Sequence, residues 1–179
     1  MLRRLIPIIA VLLPAVPAAA QDSAAVRAPA LPFPGVRWEM TADSILAVWG
    51  PAERRVASAN GADQIYYRAA ALGREAEWSF LLHPTLGLMA GSYAVPVREG
   101  ECEALLAAAV RDLLAVYPGA VDRAGKPPRA GWCGTPDASF IGVDPATGTG
   151  LFIRLRPGAT HVVVDAISPR AFAALGRGG

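Results

Sequence analysis

The residues best suited to chemistry lie near the C-terminal end of the chain. His161 and Asp165 are four positions apart in an alternating segment, so in a β-strand they would project from the same face. Such a pair could bind a metal ion or supply half of a Ser/His/Asp set, which makes a hydrolase or metal-binding protein one alternative. The other histidine, His83, precedes Pro84 in a turn, and no Gly-x-Ser-x-Gly motif supplies a nucleophile. Because a metal site normally requires three or four ligands, we expect neither catalysis nor a metal or other cofactor.

A group of polar side chains is expected around that pair. Arg154 and Arg156 alternate outward in the preceding segment, with Phe152 on the same side. The two segments are predicted to form a hairpin, which would make Phe152, Arg154, Arg156, His161 and Asp165 cross-strand neighbours. Arginine beside an aromatic ring is typical of protein-binding hot spots. An ordinary polar face, with an ion pair worth under about 1 kcal/mol, is the alternative.

The chain has two cysteines, Cys102 and Cys133. In an exported protein an even number of cysteines most often means pairing, so we predict a disulfide between them. Loop-closure arguments give such a bridge about 3–4 kcal/mol. The alternative is a reactive thiol at Cys102 in the first turn of a helix, but no Cys-x-x-Cys motif or partner histidine supports it.

The N-terminus indicates export. Residues 1–20 combine Arg3 and Arg4, an apolar run and an Ala-Ala-Ala end, the pattern of a signal peptide cleaved before Gln21. An uncleaved anchor is the weaker alternative, because the run is short and contains three prolines. We therefore expect a periplasmic or secreted bacterial protein, with residues 21–34 forming a Pro-rich lead-in.

Charge excludes two classes of partner. Two of the 17 basic residues and none of the 15 acidic ones lie in residues 1–20, so the mature chain has 15 of each. A neutral chain is not expected to bind nucleic acid or anionic membranes in general. No later apolar segment is long enough to span a membrane, so we expect no membrane span after removal of the signal.

Residues 41–50 contain the signals of a short helix with both ends marked. Thr41 is a good N-cap, and Gly50 followed by Pro51 is a good C-terminal stop. The apolar residues recur at helical spacing and make one stripe: Ala42, Ile45, Val48 and Trp49. Further helices are predicted at residues 101–117 and 169–176.

Period-two alternation predicts the strands. They are expected at residues 64–68, 75–82, 86–95, 138–143, 151–156 and 161–167, with a strand edge at 132–133. Residues 54–61 are predicted to be a polar connection and residues 120–130 a loop. The resulting fold class is α+β, a single domain at 35–179. It would consist of two helix-plus-antiparallel-strand half-repeats, about 36–97 and 98–176, with helices covering one face of an open antiparallel sheet.

Part of the first helix has a family resemblance. The run Gly35-Val36-Arg37-Trp38-x-Met40-Thr41, followed by Ile45, Trp49, Gly50 and Pro51, resembles the helix signature of the SmpA/OmlA (BamE-like) and beta-lactamase-inhibitor-protein-like group of small exported bacterial proteins. Glu39 stands where that group often has Gly, Trp49 replaces Leu, and the lipid-attachment Cys of its outer-membrane members is missing. The resemblance implies a protein-binding module of the cell envelope.

These observations lead to one functional hypothesis with two alternatives. We expect a non-catalytic, exported protein that binds another envelope or secreted protein through Phe152, Arg154, Arg156, His161 and Asp165. The first alternative is a proteinaceous inhibitor of a secreted enzyme, acting through the same face. The second is the hydrolase or metal-binding protein described above.

Overall fold

The computed structural model describes residues 31–58, 61–129, 133, 139–156, 158 and 160–175. The helices are α1 (Ala42–Trp49), α2 (Cys102–Val116) and α3 (Pro169–Leu175). The strands are β1 (Arg54–Ala57), β2 (Asp63–Ala71), β3 (Arg74–His83), β4 (Gly87–Pro96), β5 (Val121–Asp122), β6 (Ser139–Val143), β7 (Gly150–Leu155) and β8 (His161–Ile167). They form one antiparallel sheet in the order β1-β2-β3-β4-β8-β7-β6-β5. The signal-peptide prediction falls on residues outside those described.

The predicted fold class, α+β with two helix-plus-antiparallel-strand half-repeats, is wrong. The structure is mostly one eight-stranded sheet, with 40% of the described residues in strands and 23% in three short helices. The seven residue pairs between β4 and β8, from Ala90–Ile167 to Pro96–His161, join the strands into a continuous sheet. The helices also do not all cover one face, because α3 packs Phe172 against Phe152 on the face opposite α1 and α2.

Two strands were missed because they lack alternation. Strand β1 lies in the predicted polar connection at residues 54–61, and all four of its residues are exposed. Strand β5 is two residues long and lies in the predicted loop at 120–130. Cys133, predicted to lie in a strand edge, is in a turn. Neither short strand has a buried face, so the hydrophobic pattern could not reveal it.

Helix α1 confirms both predicted ends. The Thr41 hydroxyl accepts a hydrogen bond from the Ser44 backbone N–H at 3.3 Å. Gly50 has φ +83°, and its N–H donates to the Leu46 carbonyl at 2.8 Å. Ile45 is fully buried, whereas Val48 is 50% exposed, so Val48 does not belong to the buried stripe.

Alternate side chains of the strands pack on one side of the sheet, the core face. In β3 the predicted alternation is confirmed: Ala76, Trp78, Phe80 and Leu82 are buried. Phe33 contacts the rings of Trp78 and Phe80 edge-on, although it comes from the predicted lead-in. Gly91 of β4 allows this close approach, because a Cβ there would collide with the Phe33 ring.

Helix α2 covers the β7–β8 side of the core face. It buries Leu105, Leu106, Ala109, Val110 and Leu113. The Cys102–Cys133 disulfide is present, as predicted, with Cα atoms 6.0 Å apart. The bridge ties the start of α2 to the segment between β5 and β6. At the same end of the helix, an ion pair at 2.6 Å with Arg74 holds the pKa of the Glu101 carboxyl below its usual range.

Candidate functional site

The predicted site residues lie on the second side of the sheet, the outer face. Phe152 on β7 pairs with Asp165 on β8, and Arg154 pairs with Val163. The Arg154 Nε lies 2.9 Å from Asp165 Oδ2, so these two side chains meet diagonally across the strands as expected. The Arg154 side chain is 56% exposed and that of Asp165 only 16%. Asp165 is therefore seated in the face while Arg154 extends over it.

Arg156 and His161 lie at the far end of the hairpin and do not join that pair. The Arg156 backbone N–H donates to the His161 carbonyl at 2.9 Å. The Arg156 guanidinium is 4.0 Å from a Glu77 carboxyl oxygen. His161 pairs with Pro96 on β4, and its buried Nδ1 has no hydrogen-bond partner among the described residues.

The separation between His161 and Asp165 bears on the metal alternative. Four residues along a strand correspond to about 13 Å between Cα atoms. A single ion cannot be bound by both side chains over that distance, given metal–ligand bonds of about 2 Å. In the part of the chain that the structure describes, no three His, Cys, Asp or Glu side chains form a group able to hold a metal.

A groove runs across the middle of the outer face, with a volume of about 410 Å³. Five strands contribute to this outer-face groove because each exposes alternate residues there. Small side chains of β3 and β4 line it: Ser79, Ala90 and Ser92. Larger side chains from β2, β3, β7 and β8 border them: Gln64, Leu81, Phe152, Arg154, Asp165 and Ile167. The groove therefore offers apolar contacts and one ion pair in the same space.

Three of the five predicted site residues thus line the groove: Phe152, Arg154 and Asp165. Sequence reasoning did not find Gln64, Ser79, Ala90, Ser92 or Ile167. Leu81 and Ser79 do lie on the predicted outward face of β3. However, their proximity to Phe152 depends on the β4–β8 pairing, which joins residues about 75 positions apart.

Helix α3 lies beside the groove and contacts Phe152 of its lining. Ser168 accepts a hydrogen bond from the Ala171 backbone N–H and donates its own N–H to the Met89 carbonyl at 2.7 Å. This cap anchors the helix beside β4, and Phe172 then packs edge-on against Phe152, with ring centroids 6.1 Å apart. Gly150 is required beneath the Phe172 ring, because a Cβ there would collide with it.

Exposed charges border the groove on the β1–β3 side. The Arg54 guanidinium stacks 3.6 Å from the centroid of the Tyr66 ring and lies 3.5 Å from the Glu77 carboxylate. Glu77 therefore lies between Arg54 and Arg156, two cations from opposite parts of the sheet. Pairs as exposed as these contribute little to stability, so their charges can be exchanged for those of a partner at small cost.

Packed aromatic rings lie on the core side of the sheet, directly beneath the outer-face groove. On the core side of β3 and β4, Trp78 and Tyr93 are buried with ring centroids 5.0 Å apart. Burial, with a smaller contribution from Asp112, raises the pKa of the Tyr93 hydroxyl well above its ordinary value. Tight packing beneath the groove limits how far its walls can move.

Comparison with known protein families, curated proteins and solved structures gives no match. The resemblance of residues 35–51 to the BamE-like group stays a prediction. Within that segment, Glu39 has φ +68°. This is the left-handed region that favours glycine. No helix among the described residues is long and apolar enough to cross a membrane.

The fold and the site define a disulfide-bridged protein dominated by one antiparallel sheet, with a grooved and largely uncovered outer face.

Proposed function

We propose that this chain is a non-catalytic, exported protein that binds another protein through its outer face, centred on the outer-face groove. The observation that carries the proposal is the meeting of Phe152, Leu81 and Ile167 with the Arg154–Asp165 pair in one groove. Aromatic and arginine side chains next to a pocket are the groups that most often dominate protein–protein binding energy.

Two further features support the proposal: the disulfide supports export, and the shape of the groove indicates the kind of partner. A disulfide is consistent with an oxidising compartment, which fits the signal-peptide pattern of residues 1–20. The groove is shallow and open, so we expect a protruding loop or side chain of a partner rather than an enclosed small molecule.

The test begins with a partner. Mature residues 21–179 carrying a C-terminal tag are purified from the native cell envelope, and co-eluting proteins are identified by mass spectrometry. The same purification is repeated with Arg154→Glu, which reverses the charge in the groove, and with Leu81→Arg, which fills it. The matched control is Arg111→Glu, on an exposed position of α2 away from the outer face.

We expect a stoichiometric partner with the wild-type chain and the Arg111→Glu variant, and its loss with both groove variants. Retention of the partner by both groove variants, each shown to be folded by circular dichroism, would disprove the proposed face. If the partner is a secreted enzyme, titration of its activity tells whether binding is inhibitory, which is the narrower inhibitor alternative.

A further inference from the structure

The far edge of the sheet carries a second surface, separate from the outer-face groove. Strand β5 pairs with β6 only through Val121–Val143 and Asp122–Gly142. Strand β6 continues for three more residues, 139–141, and these pair with β7 on one side only. Among the described residues no strand lies on their other side. Within the described residues, alternate backbone N–H and C=O groups of this stretch have no strand partner.

Beside this edge the chain makes a tight turn that presents positive charge. The Asp122 Oδ1 accepts hydrogen bonds from the N–H groups of Ala124 and Lys126, both at 2.8 Å. The Asp122 N–H donates to the Lys126 carbonyl, also at 2.8 Å. The only carboxylate of the turn is thus occupied by its own backbone, and it fixes the path of residues 122–126.

Three cationic side chains lie on this turn or just after it: Arg123, Lys126 and Arg129. All are exposed, and none forms an ion pair within the part of the chain that the structure describes. With Phe140 and Ile141 of β6 they line a cleft of about 450 Å³. Ile141 is one of the few large apolar side chains left exposed, at 45%.

We propose that this cleft, the β6 edge site, binds an extended acidic segment of another protein, which adds to the sheet as a strand beside residues 139–141. The open backbone of β6 supplies the strand pairing. Arg123, Lys126 and Arg129 select carboxylate side chains, and Ile141 offers an apolar contact to an alternate residue of the added strand. The two sites share no lining residue, so each can be tested without the other.

The probe is a fluorescein-labelled eight-residue peptide of alternating valine and glutamate, titrated with the full mature chain by fluorescence anisotropy. Matched peptides carry glutamine or lysine in place of glutamate. We expect the glutamate peptide to bind about tenfold more tightly than the glutamine peptide, because three ion pairs each contribute a few-fold. The lysine peptide should not bind, and salt should weaken the glutamate peptide.

Protein variants locate the site. The triple charge reversal Arg123→Glu, Lys126→Glu and Arg129→Glu should reduce affinity for the glutamate peptide by about tenfold or more. Arg111→Glu on α2 is the single reversal away from this edge, and it should leave affinity within about twofold. If Arg111→Glu lost about one third of the binding free energy that the triple variant loses, in proportion to its charge change, the proposal would be overturned, because binding would then follow net charge alone.

Backbone pairing is tested with two further peptides, N-methylated at the odd or at the even amide positions. An added strand pairs through alternate amides, so one methylated peptide should lose binding and the other should keep it. Hydrogen exchange should show protection of β6 amides on binding the unmodified peptide. If both methylated peptides bind like the parent, or if protection appears at the outer-face groove instead, strand addition at the β6 edge site is ruled out.

Discussion

The two faces of the sheet differ in what holds them in place. The core face packs large apolar side chains against α1 and α2, whereas the outer face carries small, polar and charged ones and a few partly exposed apolar ones around a groove. Phe80 and Leu81 are neighbours in β3, yet Phe80 contacts the rings of Phe33, Trp49 and Tyr67 while Leu81 lines the groove. Phe80 is therefore required by the fold, whereas Leu81 is available for binding.

This difference separates stability from function within single strands. A side chain on the core face cannot change without disturbing its packed neighbours. On the outer face a change alters the surface presented to a partner and leaves the interior untouched. Substitutions on the core face are therefore expected to lower the free energy of unfolding more than substitutions on the outer face.

The largest effect is expected from the Phe80→Ala substitution. Removing a fully buried ring from an aromatic cluster should lower the free energy of unfolding by about 3–5 kcal/mol. The neighbouring Leu81→Ala on the outer face should cost less, about 1–2 kcal/mol, since Leu81 is only partly buried. Urea denaturation followed by tryptophan fluorescence measures both. Similar losses for the two variants would show that the outer face is packed as a second core.

Loss of the disulfide should have the next largest effect on stability. Replacing Cys102 and Cys133 together by serine is expected to lower the free energy of unfolding by about 3–4 kcal/mol, because the unfolded chain loses a cross-link over a separation of 31 residues. Urea denaturation of the double variant beside the wild-type chain measures this loss. Since the bridge anchors α2 on the core face, the outer-face groove should keep its partner wherever the double variant remains folded. Loss of partner binding in a folded double variant would instead couple the two faces.

Alkaline pH should affect the core face through its tyrosines. Burial raises the pKa of the Tyr93 and Tyr117 hydroxyls, so the folded state holds both protons to higher pH than the unfolded state does. Their contribution is therefore fully present below the unfolded pKa of about 10 and is lost as pH rises above it. Each tyrosine should reduce stability by about 1.4 kcal/mol per pH unit in that window.

The measurement is urea denaturation at a series of pH values from about 8 to about 11.5, which spans the unfolded tyrosine pKa. The Tyr93→Phe variant should lose about 1.4 kcal/mol less stability per pH unit than the wild-type chain. The Tyr93→Phe, Tyr117→Phe double variant should lose less by about twice that amount. An unchanged alkaline slope in the double variant would mean that other groups cause the loss of stability.

The elements that pack were predictable, since packing leaves a periodic signal. Thr41 and Gly50 marked the ends of α1, the alternation around Trp78 and Phe80 predicted β3, and the β7–β8 hairpin followed from two alternating segments. Predicting that Cys102 pairs with Cys133 needed only the count of cysteines and the signal-peptide pattern of residues 1–20.

The features that sequence analysis missed depend on contacts between distant parts of the chain, which no local sequence pattern indicates. Strand β1 is exposed at every residue and forms by pairing with β2 alone. Burial of Phe33 depends on Gly91, nearly 60 residues later. The pairing of β4 with β8 decided both the fold class and the floor of the groove, and it could not be read from either strand by itself. Sequence analysis therefore found three residues of the groove, Phe152, Arg154 and Asp165, all from one hairpin.

The smallest stability effect is expected at the centre of the outer face, in the Arg154–Asp165 pair. A double-mutant cycle with Arg154→Ala and Asp165→Ala should give a coupling free energy under about 1 kcal/mol, because the Arg154 side chain is more than half exposed. Partner affinity should nevertheless fall with either single variant, since a pair that contributes little to the fold is free to reorganise toward a bound chain. A coupling free energy above about 2 kcal/mol would show that the pair stabilises the fold itself. The groove would then be a structural feature of the outer face, and the division between a packed face and a binding face would fail at its centre.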